Sequence, residues 1–219
     1  MSRHALLAGA TGLVGGRLLA QLAAQGGYTV TTVGRRAPAF EHQCVTHLVT
    51  DFSGTVEVPA ADTFFCCLGT TIRKAGSQDA FRAIDLDLVV KLAAAARAAG
   101  CTTAVIVSSV GADASSSSFY LRIKGEMEIS IENAGFTGYA FIRPSLLLGE
   151  RAELRPAELL GKWATRLINP LLAGRLSNYR AVNADTVAAA MIGLDRTGIT
   201  GRKIVQGRQI ERLAATARP

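Results

Sequence analysis

Apolar positions along the chain alternate between short runs of strand length and stripes at helical spacing. Leu6–Ala8 is an unbroken apolar run, and Leu13, Leu18, Leu19 and Leu22 then recur roughly at i, i+3, i+4, i+7. Gly26-Gly27 end that helix, and Tyr28–Val33 predicts a second strand closing on Gly34. Val45–Thr50 predicts a third strand. Thr63–Leu68 predicts a fourth, almost wholly apolar, as a strand covered on both faces should be. Residues 69–77 read as a mobile loop. Asp79–Ala99 predicts one long helix with Phe81, Ile84, Leu88, Leu92, Ala95 and Ala99 on its buried face and Gly100 as its stop. Thr103–Val107 predicts a fifth strand, a helix follows from Phe119 to about Asn133, and Tyr139–Arg143 predicts a sixth strand stopped by Pro144. Strand and helix alternate throughout, which predicts an α/β fold: a doubly wound parallel sheet in three α/β/α layers. Residues 145–180 lose the alternation, with a helix expected over Pro156–Leu172. Asp185–Leu194 reads as a short helix capped near Asn183, and Lys203–Gln206 as a last strand. No linker divides the 219 residues, so one domain is expected over 1–219.

Composition narrows the class. Cys44, Cys66, Cys67 and Cys101 form no C-x-x-C pair and no cluster with His4, His42 or His47, so reduced thiols and no metal site are expected. The first residues enter a strand almost at once and no apolar run reaches membrane-spanning length, which leads to the expectation of a cytoplasmic protein without membrane contact. The net charge of +7 lies wholly in the last third: residues 1–142 hold 11 Lys+Arg against 11 Asp+Glu, residues 143–219 hold 13 against 6. Such a surplus suits nucleic acid, an anionic substrate or a solvated arginine-rich face. Aromatics are not interleaved with these arginines and no nucleic-acid motif is present, so no nucleic-acid partner is expected.

Between the first strand and helix stand Gly9, Gly12 and Gly15, spaced G-x-x-G-x-x-G. A glycine turn in that setting lets backbone approach a pyrophosphate, and the helix N-terminus offers it free N–H groups and a partial positive charge. Thr11 adds a hydroxyl to the cradle. The second strand closes on Arg35 and Arg36, where a dinucleotide fold meets the adenine ribose. Arginine there suits a 2′-phosphate, so NADPH is the expected cofactor. Asp51 ends the third strand; it either accepts from the adenine amino group, with Phe52 shielding the ring, or caps the following turn. Leu68, Gly69 and Thr70 bring backbone near the cofactor's far end.

A second constellation is Ser108/Ser109, Tyr120 and Lys124. Four residues apart, Tyr120 and Lys124 share one helix face. An ammonium beside a phenol favours the phenolate, which equips Tyr120 to give a proton to a carbonyl oxygen. A serine at the neighbouring strand end can hold the same oxygen, and Lys124 can also hold the nicotinamide ribose. The order of glycine turn, serines and Y-x-x-x-K along the chain supports a catalytic set rather than chance.

These residues resemble the short-chain dehydrogenase/reductase superfamily, and its small atypical branch in particular. Phe65–Thr71, Ser108–Asp113, Tyr120–Glu126 and Ile142–Pro144 are similar to the Tat-interacting tumour-suppressor oxidoreductase family. The resemblance implies a Rossmann fold, NADPH binding, and cofactor contacts at Thr11, Gly12, Leu13, Val14, Arg35, Arg36, Leu68, Tyr120, Lys124, Arg143 and Pro144. Leu13 and Val14 replace a more polar pair, so contacts there rest on backbone. The expectation is an NADPH-dependent oxidoreductase acting on a small carbonyl compound bound under residues 145–180, as monomer or homodimer. The alternative is an NADPH-binding regulator with little or no turnover.

Overall fold

The computed structural model describes residues 2–145, 147–148 and 181–217. Along the chain run β1 (Arg3–Ala8), α1 (Leu13–Gln25), β2 (Tyr28–Gly34), β3 (Val45–Val49), β4 (Thr63–Cys66), α2 (Ile72–Ala75) and α3 (Gln78–Arg82). A π-turn over Ala83–Asp87 joins α3 to α4 (Leu88–Ala98). Then come β5 (Thr103–Val107), α5 (Phe119–Glu132), β6 (Gly138–Arg143), β7 (Leu147–Leu148), β8 (Val182–Asn183), α6 (Ala184–Thr197), β9 (Gly201–Gln206) and α7 (Arg208–Thr216).

Seven strands form one sheet in the order β3-β2-β1-β4-β5-β6-β9, every neighbouring pair parallel. β1 and β4 flank the point where the winding reverses, and open α/β sheets take their ligands at the carboxyl ends of the strands there. Side chains alternate between two cores. Ala5, Leu7, Phe65, Val105 and Ile142 face α1, α6 and α7, while Leu6, Ala8, Phe64, Ile106 and Phe141 face the helices between β4 and β6. Cys66 and Cys67 follow the same rule, one to each core, and burial pushes the Cys66 thiol up to about 12 and Cys101 up to about 11.

Among the described residues the expected elements form, with four differences, one of them the short parallel pair β7–β8 after β6. The loop after β4 contains a short helix, α2, whose start is fixed by the Thr71 hydroxyl accepting from Lys74 N–H. The single helix expected over 79–99 is broken by the π-turn. The buried face is Phe81, Asp85, Leu86, Val89, Leu92, Ala93 and Ala96, at helical spacing, rather than the stripe through Ile84, Leu88 and Ala95. Helix α7, strongly amphipathic, was not expected. The helix placed at Pro156–Leu172 lies outside the described residues.

At the amino ends of the strands, Asp195 of α6 is buried and receives the Tyr28 hydroxyl at 2.7 Å, Arg3 Nη2 at 2.8 Å and the Thr63 hydroxyl. Burial and then the Asp195 carboxylate raise the Tyr28 phenol well above the ordinary tyrosine range. The folded protein therefore keeps that proton at pH values where the unfolded chain loses it, so Tyr28 contributes stability that is present below about pH 10 and is lost as pH rises further. Tyr28→Phe should lower stability at neutral pH by about 1–2 kcal/mol, leaving Asp195 one donor short. It should also flatten the fall in stability above about pH 10 relative to the wild type. Urea melts at pH 7, 9 and 10.5 measure both effects.

Candidate dinucleotide and catalytic site

The loop between β1 and α1 is built by close approach. Gly9 has φ +85°, and a Cβ there would lie 2.6 Å from the Cys67 carbonyl carbon. A Cβ on Gly15 would lie 2.1 Å from Gly9 O, so α1 can seat against β1 only through a glycine. Gly12 caps α1 with extended backbone (φ −85°, ψ 172°) and no side-chain hydrogen bond, and the first turn carries no acidic residue. The helix's hydrogen-bond ladder starts with Gly16 N–H donating to Gly12 O at 2.9 Å. The N–H groups of Leu13, Val14 and Gly15 thus stand at an open, positive helix end. Val14 itself is buried in the core, so its contribution to a ligand is backbone.

From that turn a cleft of about 430 Å³ runs along the carboxyl ends of β1 and β2. Gly9, Thr11, Arg35, Arg36, Asp51, Phe52 and Leu68 of the expected set line it. Arg35 and Arg36 are exposed at its rim. The Asp51 Oδ1 accepts from Ser53 N–H (2.8 Å) and the Ser53 hydroxyl (2.7 Å), which holds its carboxyl below the usual range. Asp51 therefore caps the turn and borders the cleft at once. Phe52 has φ +66°, the one non-glycine in the left-handed region among the described residues. Lys91 of α4 braces it by donating to Phe52 O at 2.6 Å. Lys91 and Asp87 line the cleft too and had no signal in the sequence beyond a polar stripe on the expected helix.

Beyond Leu68 lies the second constellation. Tyr120, half-buried, packs its ring on Phe81 with centroids 5.6 Å apart. Lys124, one turn further along α5, is buried, and its Nζ lies 2.7 Å from Asp85 Oδ1. Asp85 Oδ2 accepts Thr70 N–H at 2.9 Å. Burial alone would depress the Lys124 ammonium; the Asp85 carboxylate, with a smaller effect from Tyr120, outweighs it and holds Lys124 above the ordinary lysine range. Gly69 passes over this pair.

The two serines part company. Ser108 is buried and its hydroxyl donates to Glu128 Oε1 at 2.6 Å. Glu128, also buried, is held bidentately by Arg143, Nε at 2.8 Å and Nη2 at 2.6 Å. Ser108 and Arg143 are thereby bound into an ion-pair network beneath the strand ends, because Glu128 lies on α5 one turn past Lys124. Ser109 is half-buried and bonds only weakly to Val110 O, at 3.3 Å, so its hydroxyl is the one left beside the loop. Pro144 is buried, and its carbonyl accepts Val110 N–H at 3.1 Å, which ties the two strand ends together.

An open helix N-terminus behind a glycine turn, a long cleft at the switch point and, beyond Leu68, a Tyr–Lys pair define a dinucleotide-binding protein of the Rossmann type. Residues 9–193 match the NAD(P)H-binding family, and the chain belongs to it. It is 38% identical over 199 residues to protein HTATIP2 of Rattus norvegicus, covering 87% of this chain and 80% of that one. It is 34% identical over 212 residues to the protein fmp52, mitochondrial, of Aspergillus niger, covering 92% and 90%. Among solved structures, MoeE5 in complex with UDP-glucose and NAD matches with a TM-score of 0.70 at 14% identity, covering 97% of this chain and 81% of that one. Human epimerase family protein SDR39U1 with NADPH matches at 0.62 and 18%, covering 98% and 80%. The expected cytoplasmic location is overturned by the fungal relatives, which are named as mitochondrial proteins. An absence of membrane-length apolar runs bears on membrane spans and does not separate cytoplasm from mitochondrion; among the described residues no helix is long and apolar enough to cross a membrane.

Proposed function

We propose that the protein is an NADPH-dependent reductase of small carbonyl compounds in which Tyr120 is the proton donor. The observation that carries this reading is the placement of Tyr120 and the buried Lys124 on one face of α5, beside the Gly69–Thr70 loop that continues from the cleft. The residues present fit a dinucleotide. The N–H groups at 13–15 would hold its pyrophosphate, Phe52 and Asp51 its adenine, Arg35 and Arg36 a 2′-phosphate, and Lys124 its nicotinamide ribose. When bound, the cofactor supplies a hydride. Ser109 and Tyr120 hold the carbonyl oxygen, Tyr120 transfers its phenolic proton to that oxygen as the alcohol forms, and solvent returns a proton to the phenolate. Lys124 holds positive charge beside the phenolate throughout.

Preference for NADPH is supported by two exposed arginines at the ribose end, with no ion pair to either of them among the described residues. Arg35→Ala with Arg36→Ala should weaken NADPH binding by about tenfold or more and leave NADH little changed, the scale of one or two charge-assisted hydrogen bonds. Calorimetric titration with both cofactors measures this, and equal losses would remove the assignment. The reductase reading itself is tested by following NADPH absorbance across a panel of aldehydes, ketones and quinones.

One observation favours a second reading. Ser108 is engaged by Glu128, which leaves a single serine for the substrate oxygen. A protein that binds NADPH tightly and reduces nothing in the panel would be a regulator that reports cofactor level.

A further inference from the structure

We propose that Lys91 is a positioning residue for the cofactor's adenine end: its ammonium holds Phe52 in the left-handed conformation that sets the ring against the cleft. The role rests on the reading of Phe52 given above. Phe52 has φ +66°, and every other described residue with positive φ is a glycine, Gly54 two positions on among them. A side chain as bulky as phenylalanine adopts that conformation only at a cost. Glycine would make the same turn without strain, so the turn alone gives no reason for an aromatic ring here. Outliers of this kind persist where the surrounding structure imposes them, and they gather at ligand sites.

The contacts that impose it can be followed outward from the turn. Phe52 N–H donates to the Thr50 hydroxyl at 3.1 Å, and Thr50 N–H donates to Gly34 O at 3.0 Å, which ties the turn to the end of β2 just before Arg35 and Arg36. Those bonds are made within the β2–β3 edge. The brace from another element is Lys91 of α4, whose Nζ donates to Phe52 O at 2.6 Å. Among the described residues no carboxylate lies within ion-pair distance of Lys91, so the carbonyl is its close partner. The Ser53 hydrogen bonds hold the Asp51 carboxyl low and the Lys91 charge adds a smaller effect in the same direction, which puts the ammonium near both residues of the turn. Lys91 and Phe52 line the cleft together, and Phe52, half-buried, packs against the core that includes Val89 and Leu92 of α4. One lysine thus fixes the distance between α4 and the turn, and with it the width of the slot that a flat ring must enter.

The test is a double-mutant cycle on the full chain with three probes: NADPH, adenosine 2′,5′-bisphosphate for one half of it and reduced nicotinamide mononucleotide for the other. Affinities are read by calorimetric titration with no carbonyl present, so the outcome is independent of whether the protein proves to be a reductase. Lys91→Met keeps the stem and removes the ammonium. It should weaken NADPH and the bisphosphate about tenfold each, the loss of one hydrogen bond from a charged group, and leave the mononucleotide unchanged. Phe52→Gly makes the turn without a brace and removes the ring. It should weaken the same two probes, and adding Lys91→Met to it should weaken them no further. Wild-type affinity in Phe52→Gly removes the adenine reading and the proposal with it. A weakened Phe52→Gly beside a Lys91→Met of wild-type affinity overturns the proposal alone. So does a double variant weakened by the product of the two single losses, since Lys91 would then act on the cofactor directly. An equal loss for the mononucleotide in Lys91→Met also overturns it, because a general loss of structure would spare neither half. Should Lys91→Met fail to fold, the double variant is compared with Phe52→Gly: equal affinities support the proposal, and a weaker double variant overturns it.

Discussion

Tyr120→Phe should bind NADPH as the wild type does and turn over any accepted carbonyl roughly 10²-fold more slowly or worse, the scale of lost general-acid catalysis. The substitution removes one oxygen. The ring keeps its 5.6 Å packing on Phe81 and its half-buried seat at the start of α5, so the fold around it has no reason to change. The groups expected to hold the cofactor's adenosine and phosphates lie elsewhere, at residues 9–15, 35–36 and 51–52. Loss of rate without loss of affinity assigns the phenol to the chemical step. Steady-state NADPH oxidation and a separate binding titration provide the two numbers, and a variant as fast as the wild type refutes Tyr120 as the donor.

Gly12→Val should abolish dinucleotide binding, a loss of at least 10²-fold, while the far-UV circular dichroism stays that of the wild type. The structure separates the three glycines of the turn. Gly12 has backbone angles any residue adopts, and a Cβ there would meet Gly9 O at 3.2 Å, a contact relieved by a small shift. Its isopropyl group would stand at the mouth of α1, over the N–H groups a pyrophosphate must reach. Gly9 and Gly15 differ, because a Cβ at either would run into backbone of Cys67–Leu68 or of Gly9 itself. Valine at those positions should lose the fold together with binding. Normal NADPH affinity in Gly12→Val would place the phosphate cradle elsewhere.

Much of this arrangement could be read before any coordinates. The strand runs at 28–33 and 103–107 and the glycine stops at 26 and 100 are local signals, and local signals survive folding. So does the i, i+4 relation of Tyr120 and Lys124. What could not be read is long-range. Phe81 and Leu92 lie on the buried face as expected, but Asp85 shares that face with them, and only Lys124 of α5 makes room there for a carboxylate. Ser108 carried the motif but not its partner: Glu128 is 20 residues away, and only the meeting of α5 with the ends of β5 and β6 decides that the hydroxyl points to it. Lys91 and Phe52 illustrate the same limit, since a left-handed phenylalanine braced by a lysine from another helix has no signature in either segment.

The seat of α6 has a consequence for how the chain is made. Leu18, Leu19 and Leu22 of α1 share a core with Val187, Ala188 and Met191 of α6, and Asp195 closes on Arg3, Tyr28 and Thr63 near the start of the sequence. During synthesis, six strands of the sheet and the whole glycine turn leave the ribosome before any residue of α6 exists. Among the described elements, only α1 covers the face carrying Leu7, Phe65, Val105 and Ile142 before residues 184–197 emerge. The nascent chain must therefore carry a partly covered apolar face until then, which makes it a customer for holding chaperones. A chain truncated after Pro144 would carry most of the cofactor-side residues and aggregate through that face.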